Sequence, residues 1–495
     1  MKAPSALDNS ANIQWTYFNL AKIAPQVNIN NYKPCNSKEG KSVFFNKAKL
    51  VEGPNVVNCS FGFNAHTTRC FNWISKGYYD EFIKIWPVGE SEDNAEIFES
   101  FKEGDGRSGN GRNWDSAIYN RIRNVATSGE DYTVHKFIHD FPEPVDTQVY
   151  NYKVGRDGFW SEVHQFTMRN RDKVIERGFQ FVQTTDQQGF HDEEYETWGV
   201  TSEFIKADGE NNPANAYEWQ MNTGDQTQNG NRLNEWLAFY RCGKNFYKNI
   251  EQMFTIGNND LCSADPKVLG TGEDLNKVNP ENINFFFTFE FPYDIPEVDS
   301  NGKYIPSVYS FIYGDTYFLC MNSEFTLTTQ EELYGVDSSY SADDDASGPK
   351  GIYSIIKQWC INDLQHIDNK IKWKVAFTHD NPFTLLTRGQ IYGTSSGDTV
   401  KYNYLDANLQ ENPSYSRGGS HLNSVGNYWF SKFLEDNNFR LCIGGHKHTY
   451  TCSRLMRDNP DNRMKPFVYD PDYNAAEGTY PSWYQSELAA HQHLM

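Results

Sequence analysis

Two periods of apolar spacing divide this chain. In the first third, apolar positions recur at every second residue: Val149-Tyr-Asn-Tyr-Lys-Val154 and Val163-His-Gln-Phe-Thr-Met168, joined by a Gly-containing turn, predict paired strands. Val57-Asn-Cys-Ser-Phe-Gly62 and Arg69-Cys-Phe-Asn-Trp-Ile74 read the same way. Further on, the period becomes helical. Residues 232–241 carry Leu233, Trp236, Leu237 and Tyr240 on one face, and residues 353–367 carry Ile356, Trp359, Cys360 and Leu364. Short apolar runs alternate with these helices, which predicts a two-sheet α/β sandwich after an all-β region.

Each of those runs ends abruptly on an acid, an amide or an imidazole. They are Phe179-Gln-Phe-Val-Gln-Thr-Thr-Asp186-Gln-Gln188, Asn222-Thr-Gly-Asp225, Met253-Phe-Thr-Ile-Gly-Asn258-Asn-Asp260, Trp373-Lys-Val-Ala-Phe-Thr-His379 and Phe439-Arg-Leu-Cys-Ile443, the last followed by Gly444-Gly-His-Lys-His448. A polar residue in that place stands at the carboxyl end of a strand, where open α/β sheets build their sites. Taken singly, Asp186 and Asp225 are also what helix N-caps after strands look like, Asn258 a turn residue and His379 a satisfied core histidine. As an ordered set, Asp, Gly-Asp, Gly-Asn, His and Gly-His-x-His are far harder to reach by chance, and they have the composition of a metal cluster.

That set resembles the calcineurin-like metallophosphoesterase superfamily. Residues 135–155 and 159–169, with the strand-like runs at 57–62 and 69–74, are most similar to purple acid phosphatase-like proteins, in which a fibronectin-III-like domain precedes the catalytic one. The resemblance implies an α/β fold, a four-layer α/β/β/α sandwich, with an N-terminal all-β fibronectin-III-like sandwich. It also implies a dinuclear metal-dependent phosphoesterase that hydrolyses a phosphate ester by attack of metal-bound hydroxide. Two divalent ions (Mn, Zn or Fe) would lie about 3.5 Å apart as Lewis acids. Carried over motif by motif, Asp225 would bridge them, Asp186 and His448 would complete one shell, and Asn258, His379 and His446 the other. Carboxylate, imidazole and amide suit hard or borderline divalent ions.

The departures remove parts of the inherited mechanism. Gln228 stands where purple acid phosphatases place a tyrosinate ligand to ferric iron, so no charge-transfer colour is expected. Gln188 takes the place of an imidazole in Asp-x-His, as a weaker ligand or a solvent-facing loop residue. Asn259 replaces the histidine of Gly-Asn-His: an amide donates a hydrogen bond to a phosphoryl oxygen but delivers no proton near neutral pH. Either the leaving group is a good one, or another acid serves. The segment Ser416-Arg-Gly-Gly-Ser-His421 offers His421 as a proton donor and Arg417 as a phosphate clamp, both equally readable as surface loop residues. His191 is a weaker candidate.

Boundaries follow from these readings: residues 1–49 form an N-terminal extension of unknown role, 50–172 the sandwich, 173–455 the catalytic domain, and 456–495 a tail without clear periodicity or closing strands. A polar, Gly-rich insertion at 96–129 is expected to loop out of the sandwich; its glycines lack the Lys-Ser/Thr of a phosphate-binding loop. Residues 337–351 read as a solvated acidic loop.

The net charge of −20 disfavours a nucleic-acid backbone as main partner. The phosphate ester is the expected substrate, and either terminal extension can hold a protein partner. Nine scattered cysteines without Cys-x-x-Cys describe neither a zinc ribbon nor a disulfide framework. The residues after Met1 lack a hydrophobic signal core, and no run approaches the length of a membrane span. A cytoplasmic enzyme is one reading, an extracellular or virion-associated one the other. A second function is open as well: a structural or adhesion protein, for example of a virus particle, that keeps the scaffold with little or no turnover.

Overall fold

The structure, a computed structural model, describes residues 50–77, 79–102, 132–189, 192–211, 216–228, 230, 233–257, 259–260, 308–322, 352–379, 430, 433–446, 456–458 and 467–469. Among the described residues, nine strands form the N-terminal sandwich: β1 (Pro54–Phe61), β2 (Thr68–Lys76), β3 (Phe82–Pro87), β4 (Glu96–Glu99), β5 (Phe101–Lys102), β6 (Tyr132–Asp140), β7 (Thr147–Arg156), β8 (Phe159–Trp160) and β9 (His164–Arg169). One sheet runs β1-β2-β6-β5 and the other β4-β3-β7-β8, with β9 also on β7. Phe71, Trp73, Ile83, Tyr152, Val154, Phe166 and Met168 fill the space between them.

Two expectations change here. Residues 96–102 belong to the sandwich rather than to a looped-out insertion, since β4 pairs with β3 and β5 with β6. The Gly-rich residues after 102 lie outside the described ones. In β9 the inward phase is His164, Phe166 and Met168, and Val163 is exposed just before the strand. Phe166 and Met168 fix that phase because they bury the larger apolar area, and a period of two then carries His164 inside.

Two further sheets follow among the described residues. β10 (Phe181–Thr184), β11 (Trp219–Asn222) and β12 (Glu251–Phe254) are parallel in that order. β13 (Tyr309–Tyr313) and β14 (Thr316–Cys320) are antiparallel, and β15 (Trp373–Phe377) and β16 (Leu441–Ile443) continue parallel to β14. The sheets face each other through Trp219, whose ring meets Phe311 at 5.4 Å and Phe318 at 5.0 Å, edge to face. Among the helices are α1 (Arg171–Arg177), α2 (Asp192–Asn211), α3 (Leu233–Tyr247) and α4 (Ile352–Leu364). On the first sheet's side, Tyr195 and Trp198 of α2 and Leu233, Trp236, Leu237 and Tyr240 of α3 extend the core; α3 runs beyond residue 241 because Phe246 and Tyr247 continue its buried face. Ile356, Trp359 and Cys360 of α4, with Phe430, Phe433 and Leu434, cover the second sheet. The result is the four-layer α/β/β/α sandwich, with β11, β12, β13 and β14 buried on both faces. Downstream, where no strands are expected, β17 (Met456–Asp458) and β18 (Phe467–Tyr469) pair antiparallel.

The N-terminal sandwich is welded to these two sheets. Phe61 packs on Tyr313 and Phe311, with ring centroids 5.3 and 5.8 Å away, and Asn64 forms a parallel bridge to Ile312. The buried Arg69 guanidinium lies 3.0 Å from Glu251 of β12. His66 is fully buried, its Nδ1 2.8 Å from the Arg169 carbonyl while its Nε2 accepts from Gly314 N–H at 2.9 Å. No helix among the described residues is long and apolar enough to cross a membrane.

Candidate metal centre

The loops after β10, β11, β12, β15 and β16 meet at the carboxyl ends of the two sheets. Asp186 N–H donates to the Gly224 carbonyl (3.0 Å), Gln188 N–H to that of Asp225 (2.9 Å), and Gly445 N–H to that of His379 (2.8 Å). Asp186, Asp225 and His446 all have positive φ, at 56°, 56° and 70°; among the described non-glycine residues only Val56 and Asn438 share that conformation. A left-handed backbone is unfavourable for such residues and persists where the surroundings over-determine it, as at ligand clamps. Two of the motif glycines explain how the loops come so close. A Cβ on Gly257 would fall 2.2 Å from Asp225 Oδ1, and one on Gly445 would fall 1.9 Å from Thr185 Oγ1 and 2.8 Å from Asp186 Oδ2.

Asp225, His379 and His446 are buried, and their candidate ligand atoms all lie within 4.8 Å of one another. The His379 tautomer is set from below: its Nδ1 stands 2.7 Å from the Thr223 carbonyl, an acceptor, so Nδ1 carries the proton and Nε2 presents a lone pair. That Nε2 faces Asp225 Oδ2 at 3.3 Å and His446 Nδ1 at 3.3 Å. Lone pair against carboxylate is repulsive in a buried site unless a cation or a proton sits between them. A divalent ion meets that requirement, and a histidine whose other nitrogen donates to a carbonyl is the usual form of a metal ligand. The donor set therefore fits a metal. Asp186 stands alongside; its Oδ2 accepts from His446 N–H (2.9 Å) and from the Thr185 hydroxyl (2.7 Å).

Amides surround the Asp225 carboxylate. Asn259 N–H donates to Oδ1 at 2.9 Å, and its side-chain Nδ2 donates to Oδ2 at 2.7 Å. Gln188 Nε2 donates to the same Oδ2 at 3.3 Å, and Gln228 Nε2 donates to Asn259 Oδ1 at 2.9 Å. Beneath them Asp260, fully buried, accepts from Gly257 N–H (3.0 Å), Thr227 N–H (2.9 Å), the Thr227 hydroxyl (3.0 Å) and Gln226 N–H (3.3 Å). Burial, and then the charge of Asp225, push its carboxyl well above the ordinary range, while the Gly257 and Thr227 amides pull it back.

Of the residues singled out in the sequence, the fold brings together Asp186, Gln188, Asp225, Gln228, Asn259, His379 and His446. Neither Asp186 nor Asp225 caps a helix. Asn258, His448, His191, Arg417 and His421 lie outside the described residues. Sequence reading missed the place of Asp260, Thr223 and Thr185. Asp260 stood inside a quoted motif, but apart from Gly257 the partners named here lie 33 or 34 positions away, on the Asp225 loop.

Parallel strands feeding glycine-assisted turns, with a buried carboxylate and two imidazoles converging on one point, define a metallophosphoesterase fold. The calcineurin-like phosphoesterase family matches residues 179–450, more than half of the chain, and the protein belongs to that family. No curated protein matches it. Among solved structures, it is similar to the purple acid phosphatase PPD1 from seeds of yellow lupin (Lupinus luteus), at 15% identity and TM-score 0.49 over 80% of this chain and 58% of that one. It is also similar to PhoD, at 10% identity and TM-score 0.44, over 80% of this chain and 72% of that one. The fn3 domain of human contactin 1 aligns with 28% of this chain and 94% of its own length, at 13% identity and TM-score 0.15. The chain thus spans less than two thirds of the lupin phosphatase.

Proposed function

We propose that this protein hydrolyses phosphate esters with two divalent metal ions, held by Asp186, Asp225, Asn258, His379, His446 and His448, with Asp225 shared between them and Gln188 at its side. The family membership supports phosphoester chemistry. The observation that carries the metal reading is the convergence of the Asp225 carboxylate, the His379 Nε2 lone pair and the His446 imidazole, three groups able to ligate a cation, in a buried site. When bound, the ions supply Lewis acidity to the phosphoryl group and lower the pKa of the attacking water.

The chain's own residues do the rest. Thr223 fixes the His379 tautomer, and Asp186 is anchored by His446 N–H and the Thr185 hydroxyl. Asn259 offers no proton at neutral pH, so the ester most readily cleaved is one whose leaving group departs as a stable anion, an aryl phosphate or a phosphoanhydride; general-acid help worth roughly 10²- to 10⁴-fold is then dispensable. For less acidic leaving groups, His421 is the proposed donor and Arg417 the proposed clamp on the phosphoryl oxygens.

The test is Asp225→Ala in the full chain reconstituted with Mn(II) or Zn(II). Hydrolysis of an activated aryl phosphate is expected to fall by at least about 10³-fold, a loss on the scale of removing a charge-stabilising group from an active site, and bound metal is expected to drop. Full turnover with undiminished metal in that variant overturns the proposal. So does a wild-type protein that binds metal yet turns over no monoester, diester, nucleotide or pyrophosphate, which is the outcome a scaffold kept for structure or adhesion would give.

A further inference from the structure

Asn259 occupies a position read from sequence as a contact to phosphate, yet its hydrogen bonds point elsewhere. Backbone N–H and side-chain amide together grip both oxygens of Asp225, at 2.9 and 2.7 Å, as a two-pronged clamp from one residue. Its carbonyl accepts from Gly230 N–H at 3.0 Å, and its Oδ1 accepts from Gln228 Nε2 at 2.9 Å. The polarity of this chain of amides follows from Asp225. An ionised carboxylate only accepts, so Asn259 must turn its NH₂ toward Asp225 and its oxygen away, and Gln228 must then present its own NH₂. Gln228 lies three residues beyond Asp225 on the same loop, which closes the ring Asp225, Asn259, Gln228.

We infer that Asn259 and Gln228 form a positioning pair that orients the Asp225 carboxylate for its cation, Asn259 by direct contact and Gln228 by locking the Asn259 amide. The inference rests on the proposed metal site and not on turnover. The two Asn259 donors leave about two of the four acceptor positions of the Asp225 oxygens, one of them met by Gln188 Nε2 at the longer distance of 3.3 Å, so a position remains for a metal. They also fix the carboxylate plane before the ion arrives. Gln228 and Asn259, each a departure from the family pattern, thereby act as one device. Its two members can be separated by experiment, because Gln228 reaches the carboxylate only through Asn259.

Metal affinity is the readout, by calorimetric titration of the metal-free full chain with Mn(II). Asn259→Ala is expected to weaken binding about ten- to hundredfold, the usual effect of removing a group that orients a ligand. Gln228→Met, of similar size but unable to donate, is expected to weaken it by about threefold or more, the worth of one hydrogen bond. In the double variant Gln228→Met should add almost nothing to Asn259→Ala. An unfolding transition confirms that each variant is folded; if Asn259→Ala fails that check, Gln228→Met decides alone. Affinity within twofold of wild type for Gln228→Met, or an undiminished Gln228 effect on the Asn259→Ala background, overturns the inference. A protein that shows the expected affinities and hydrolyses nothing keeps the positioning pair and loses the phosphoesterase reading.

Discussion

The seam between the N-terminal sandwich and the two α/β sheets and the cluster at the ends of those sheets both bury charged and polar groups, and they treat them in different ways. At the seam Arg69, Glu251, Glu218 and His66 all find partners within the chain. Arg69 donates from Nε and both terminal nitrogens to Glu251 and to the carbonyls of Ala65, Thr68 and Thr167; Glu218 faces Arg169 and Arg177 and accepts from the Tyr313 hydroxyl; and both nitrogens of His66 have partners. At the sheet ends, Asp225 Oδ2 faces the lone pair of His379 Nε2 at 3.3 Å, with the His446 imidazole beside them. Burial alone therefore does not separate structure from function here. The separating property is pairing: at the seam each of these buried carboxylates meets a guanidinium, whereas the Asp225 carboxylate is surrounded by amides and imidazoles, an arrangement that suits a cation.

The largest effect expected from breaking the seam comes from Glu251→Ala, which leaves Arg69 buried without its carboxylate. Stability should fall by roughly 3–5 kcal/mol, seen as a lower denaturant midpoint, while the Mn(II) affinity of the folded fraction stays at the wild-type value. A matching loss of metal affinity would erase the distinction between the two regions.

Acid titration sharpens the same contrast. Burial lowers the His66 pKa from 6.5 to about 4; its bond to the Arg169 carbonyl opposes this, and the neighbouring Arg69, Arg171 and Arg169 charges each add a smaller downward push. The unfolded chain therefore takes up a proton at this residue before the folded one does. The His66 contribution is fully present above pH 6.5 and is lost as pH falls toward 4, by roughly 3 kcal/mol in all. His164, lowered to about 4 mainly by burial, adds an acid loss of the same sign. His66→Gln, which retains a donor and an acceptor, should flatten the slope of stability between pH 6.5 and 4; an unchanged slope would remove His66 from the account.

The smallest of the three is reached by adding metal. Mn(II) at a hundred times its Kd should stabilise the wild-type protein by about 2.7 kcal/mol, and a chelator should reverse the shift. Asp225→Ala should lose this response while Glu251→Ala keeps it. Equal responses in the two variants would show that the ion binds away from the sheet ends.

Much of this was legible in the chain itself. The order of the motifs, the glycines that let the loops approach, and the buried faces of α3 and α4 are local properties, in which a strand or helix period and the residue ending it lie within a few positions of each other. The phase of β9 was harder, because Val163 and His164 compete for the inner face and only the packing of Phe166 and Met168 resolves it. β4 and β5 were hidden by polar composition, since Glu96 and Glu99 sit on exposed positions of a strand whose partner lies elsewhere in the chain.

What the sequence by itself determined is which residues arrive at the strand ends and in what order, since covalent neighbours and short periods specify that. Only the tertiary structure decided what each residue does there. Thr223 sets the His379 tautomer from 156 positions away, Arg69 meets Glu251 across 182, and Asn259 turns its amide to Asp225 across 34. Hydrogen bonds are directional and short, and an amide can face either way, so their pairing is fixed only when the folded sheets bring a donor and an acceptor from distant segments within 3 Å of each other.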